Sequence, residues 1–159
     1  MDFKKLLSAS NIIACLAAVV SIISLILYGA NFGGAGFYHG VAIPLYVLFG
    51  IFAIVAALAV IGLSLVPAKG MLGKVLDVVV MVLKVLIPVF LFIMTFNAIS
   101  SRVEGFGYIY FANVDVKLEV QTPENLASAG LAITNIIFTA IAALIGLVGA
   151  FFLPKKEEE

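Results

Sequence analysis

Four long apolar runs, at residues 12–27, 41–66, 75–99 and 126–153, alternate with short stretches that hold most of the charges. Each run can supply about 20 residues of helix, which is what a hydrocarbon core roughly 30 Å thick requires. A soluble domain of 159 residues could not hide four such runs, because a folded surface needs a large polar share. The pattern predicts four spans near 8–30, 41–66, 75–100 and 123–153, forming a single membrane domain over 1–159.

Small residues repeat along three of these runs. The first shows Ser10, Ala14, Ala17, Ser21, Ser24 and Tyr28; the second Gly50, Ala53, Ala57 and Ser64; the last Ser128, Asn135, Thr139, Ala142, Gly146 and Ala150. Spacings of three and four put each set on one helical face, where small side chains let backbones approach closely in lipid. A seven-residue beat favours left-handed crossings near about +20°. The expected fold is an all-α membrane protein, a left-handed four-helix transmembrane bundle.

One segment departs from helical periodicity. From Val114 to Gln121 apolar and polar residues alternate, with Val114, Val116, Leu118 and Val120 set against Asp115, Lys117, Glu119 and Gln121. A period of two marks a half-buried strand. Together with Tyr108 and Tyr110 it predicts a small extracellular β-ribbon over 107–121, turned at Ala112-Asn113 and covered by Phe32, Phe37 or Tyr38. Its edge makes Tyr108, Tyr110, Val114, Val116, Leu118 and Val120 the candidate interaction surface. Thr122-Pro123-Glu124 then reads as helix cap, proline in the first turn and favourable acid, restarting the last span.

Composition narrows the function. Hydrophobic residues make up 64% of the chain, and nine basic and nine acidic residues cancel. A nucleic-acid partner has no electrostatic support. Cys15 is the one cysteine, so no intramolecular disulfide can form. Ile12-Ile13-Ala14-Cys15 has the outline of a lipobox, but apolar sequence continues past the cysteine and the segment reads as an uncleaved first span. Lys4, Lys5, Lys69, Lys74, Lys155 and Lys156 flank one side of the spans, and Arg102 and Lys117 the other. The positive-inside rule places both termini in the cytoplasm of a multi-pass cell-membrane protein.

Candidate chemistry is sparse. His39 stands alone in a glycine-rich loop, and there is no clustered metal-ligand pattern, nucleotide-binding loop or serine–base arrangement. No enzyme activity, metal or cofactor is expected. The candidate polar intramembrane residues are Asp77, Lys84, Thr95, Asn97 and Asn135. Asp77, Lys84, Thr95 and Arg102 fall within about 20° of one face at 100° per residue. An ionisable residue at the depth of Lys84 is costly and marks a functional candidate. Snorkelling to the cytoplasmic headgroups, moderated by Asp77, is its simpler role; a transport pathway using Asp77, Lys84 and Asn135 is the alternative. Asn97 and Asn135 suit hydrogen bonds between helices.

Four spans with an outer strand segment resemble claudin-like and tetraspanin-like topologies, although no outer Cys-Cys-Gly, paired loop cysteines or tryptophan is present. Small multidrug carriers also have four spans, but no carboxylate lies in the first span here. With Ser101-Arg102-Val103 before an aromatic segment and a small-residue-rich last span, the chain is similar to uncharacterised four-span membrane proteins of Gram-positive bacteria. The expected function is a non-enzymatic structural or accessory subunit, associating in the bilayer with itself or with another envelope protein. The alternative is a small solute or ion carrier or channel component using the polar face of the third span.

Overall fold

The computed structural model describes residues 7–152. The readings of Lys4, Lys5, Lys155 and Lys156 lie outside the described residues. Four long helices form the body: α1 (Ala9–Gly33), α2 (Pro44–Ser64), α3 (Gly70–Phe106) and α5 (Pro123–Ala150). A π-helical turn (Gly107–Phe111) and a short helix α4 (Val114–Val120) link α3 to α5. All four long helices are apolar enough to cross a bilayer, so this is a multi-pass, all-α membrane protein whose outer surface contacts lipid.

Each long helix packs on two others, α1 and α3 both lying against α2 and α5. The chain runs up, down, up and down around a ring. The segments at 34–43 and 107–122 form a cap at one end; the 65–69 turn and the ends of the described chain, Leu7 and Phe152, lie at the other, here called the terminal end.

Small-residue stripes build the interior. Ala14, Ala17, Ser21, Ser24 and Tyr28 of α1 are buried, as are Gly50, Ala53 and Ala57 of α2 and Ser128, Asn135, Thr139, Ala142 and Gly146 of α5. Large apolar side chains such as Leu58, Val82, Phe96 and Leu144 face outward. That inversion of the soluble pattern is what lipid favours, since outward apolar groups cost nothing there and small residues allow close backbones. The Tyr46 ring is fully enclosed, and its hydroxyl donates to Asn135 Oδ1 at 2.7 Å while lying 3.1 Å from Thr139 Oγ1 and 3.2 Å from the Ser24 carbonyl. This one phenol therefore ties α2 to both α5 and α1.

Two expectations differ from the structure. Among the described residues there is no strand. The expected β-ribbon over 107–121 is instead the π-helical turn and α4, with Asn113 capping α4 by accepting the Val116 amide at 3.0 Å. A ribbon needs a partner strand, and the glycine-rich 34–43 loop turns with φ of +110° at Gly36 and +68° at Gly40, a backbone that strand pairing cannot use. The same alternation also places Val114 with Leu118 and Val116 with Val120 four residues apart, on shared helical faces. With a cap available and no partner, the helix wins.

The expected burial on this segment also changes. Val114 and Leu118 are 71% and 81% exposed, and α4 contributes no buried residue. Val116 and Val120 are half-buried, and so is Lys117. The helix that holds the expected span 75–100 runs 37 residues and so extends about 55 Å. Its last turns stand above the bundle and carry the cap. The restart at Thr122-Pro123 is as expected, with Thr122 Oγ1 accepting the Asn125 amide at 3.2 Å.

Candidate functional site

The inward face of α3 carries the unusual polar chemistry. Lys84 is 5% exposed and Arg102 is 3% exposed, on one face of the helix, with Thr95 between them. Positions 84 and 102 are eighteen residues apart, so about 27 Å along the axis. The two cations thus mark the two ends of the bundle interior.

Lys84 turns into the bundle and donates from Nζ to the Phe152 carbonyl at 2.6 Å, just past the end of α5. A helix C-terminus presents unsatisfied carbonyls and partial negative charge, and an ammonium stabilises both. The charge is therefore held by a carbonyl at a neighbouring helix end. Asp77 is exposed, one helix turn beyond the packed region, and does not accompany Lys84. A void of ≈ 10 Å³, enough for about one water, touches Lys84 and is lined by Ser10, Ala14, Ala17, Ile87, Gly146 and Gly149.

The other candidates serve the backbone. Thr95 Oγ1 donates to the Leu91 carbonyl and Asn97 Nδ2 to the Ile93 carbonyl, each at 2.8 Å within α3. Asn97 therefore makes no recorded bond to another helix, whereas Asn135 does so through Tyr46. Asp77, Lys84 and Asn135 are not brought together.

The cap end holds a cluster around Arg102, a residue that helical phase puts on the polar face of the third span without indicating its aromatic neighbours. The Arg102 guanidinium lies over the Tyr38 ring, 4.3 Å from its centroid, while the Tyr38 hydroxyl donates back to the Arg102 carbonyl at 2.7 Å. Arg102 Nη2 reaches the Val41 carbonyl at 3.4 Å, and Tyr28 Oη accepts the Ile43 amide at 2.8 Å. The 41–43 stretch therefore runs between Arg102 and Tyr28. Tyr28 stacks in turn on Tyr46, centroids 5.0 Å apart. Ser128 Oγ donates to Asn31 Oδ1 at 2.7 Å and accepts the Tyr38 amide at 3.3 Å, fixing the loop to α1 and α5. Burial pushes the Tyr38 phenol up to about 12, against the lowering pull of Arg102.

No family model, curated protein or solved structure matches this chain. Function must be argued from its own geometry.

The expected interaction residues divide between two roles. Phe37 and Tyr38 do cover the segment after α3, as anticipated, packing with Phe106, Ile109 and Tyr110; Gln121 Nε2 staples it by donating to the Ile109 carbonyl at 2.6 Å. Tyr108, Val114 and Leu118 remain exposed, together with Phe111 at 84%. Among the described residues no group of three His, Cys, Asp or Glu side chains could hold a metal ion. The one available signal for the Arg102 cluster was helical phase, because Arg102 falls seven residues after Thr95 on the face that also bears Lys84.

Proposed function

We propose that this is a non-enzymatic structural or accessory subunit of the cell membrane, associating with itself or with another envelope component. Its helices cross left-handedly, both termini lie in the cytoplasm by the bias of lysines toward that side, and the cap faces outward. The observation that carries the reading is the exposed apolar pair Val114 and Leu118 on α4, a helix with no buried residue of its own, together with Phe111 at the end of the π-helical turn before it. Uncovered apolar side chains clustered at one place mark a contact surface. The polar groups inside the bundle support it, since Tyr46, Asn135, Ser24 and Ser128 are occupied in holding helices together.

Crosslinking tests it directly. A Leu118→Cys substitution in a Cys15→Ala background should yield a crosslinked species in native membranes, and native mass measurement in mild detergent should show an assembly. A strict monomer, with nothing recovered at position 118, would sink the proposal.

A carrier or channel role is the second reading. It is favoured by Lys84 facing the bundle interior beside a small void. Proteoliposomes that pass no labelled ion or small solute faster than protein-free vesicles would remove it.

A further inference from the structure

The two buried cations of α3 are not equally provided for. Lys84 has the end of α5. Arg102 is more enclosed, yet its Nη1 is fully covered and has no hydrogen-bond partner among the described residues. Its Nη2 has one long bond to a neutral carbonyl. Among the described residues its side-chain contacts are the Tyr38 ring and the Val41 carbonyl, and neither is a carboxylate. A guanidinium is permanently charged and carries five N–H donors. Enclosing one without a counter-charge is far more costly than leaving a neutral hydrogen bond unmade. The ring of Tyr38 offsets part of that through its π face, but it supplies no acceptor for Nη1.

We infer that Arg102, against the Tyr38 ring and linked to Tyr28 through the 41–43 stretch, binds a small monovalent anion, with chloride as its simplest occupant. One cation calls for one negative charge. The Tyr28 hydroxyl accepts the Ile43 amide, and its own proton is engaged by no described residue, so it is free to donate to an ion held there. Tyr38, Ile43 and Tyr28 are 2%, 6% and 9% exposed. That cover leaves no path for a lipid headgroup with its acyl chains attached, and it selects a small ion. The site goes beyond the accessory role and requires no transport.

The test is a chloride titration of the detergent-purified protein at constant ionic strength, balanced with gluconate and followed by helix ellipticity on heating. The wild type should show a saturable rise in Tm of about 5 °C at roughly a hundredfold excess over Kd. Arg102→Gln should abolish the rise. If Arg102→Gln does not fold, Tyr28→Phe replaces it, and Kd should weaken about tenfold for the lost hydrogen bond to the anion. Absence of a saturable response in the wild type overturns the inference, as does an undiminished response in whichever variant folds. Stabilisation by phosphatidylglycerol but not by chloride also overturns it, because the occupant is then a lipid phosphodiester. Chloride binding by a strict monomer leaves this site standing while removing the accessory reading, so the two fail separately.

Discussion

Lys84 and Arg102 sit on the same face of α3, are buried to almost the same degree, and meet opposite surroundings. At the terminal end the helices close on one another through Ala and Gly, and the ammonium finds the Phe152 carbonyl just past the end of α5. At the cap end the packing is aromatic, with Tyr38, Phe37, Phe106 and Tyr28 filling the space, and the guanidinium finds a ring face and one distant carbonyl. Burial alone therefore says little about a charge. The groups that face it decide whether it acts as a brace between helices or as an open binding capacity.

The largest expected effect breaks the terminal end. A Cβ at Gly146 would lie 3.1 Å from Ile87 Cγ2 and 3.4 Å from the Pro88 nitrogen, so Gly146→Leu should destabilise by about 3 kcal/mol through overpacking. Ala57→Leu, at a fully buried position, should act alike. Val148→Leu, at a residue 53% exposed, should be nearly silent in thermal denaturation. Equal shifts at these sites would mean that the inward and outward faces are wrongly assigned.

Next comes the contrast between the cations. Lys84→Met should cost about 2 kcal/mol, because it leaves the end of α5 without its cation. Arg102→Met in chloride-free buffer should change stability by less than about 1 kcal/mol, since removing an uncompensated charge offsets the lost contact with Tyr38. A larger loss at Arg102 than at Lys84 under those conditions would reverse the comparison.

The cap should also be the alkaline-sensitive end. The Tyr38 phenol ordinarily releases its proton near 10.0 and here holds it to about 12. The folded state thus keeps a proton that the unfolded chain gives up. The resulting stabilisation is complete below pH 10 and is lost as pH rises toward 12. Tyr38→Phe should flatten that part of the stability profile, and an unchanged profile would show that another group controls it.

The smallest effect belongs to α4. Asn113→Ala removes its cap and should cost about 0.5 kcal/mol, the low end for such caps, because the helix is only seven residues long. Hydrogen exchange should then quicken over 114–120 while the α5 amides stay protected.

Much of this architecture was legible in the chain. Four apolar runs dictate four spanning helices because unpaired backbone groups cannot face hydrocarbon, and the small-residue stripes named the inward faces of α1, α2 and α5. Thr122-Pro123-Glu124 gave the start of α5 from local capping chemistry alone. What sequence could not decide was any question of partnership. The alternation at 114–121 fits a strand or a short helix equally, and the outcome depended on whether a second strand lay alongside; the turning 34–43 loop offered none. Lys84 and Arg102 carry equal charge on one helical face, yet only the fold brought the α5 terminus to the first and the Tyr38 ring to the second. Periodicity and propensity are local properties, whereas the compensation of a buried charge is set by residues far away in sequence and close in space.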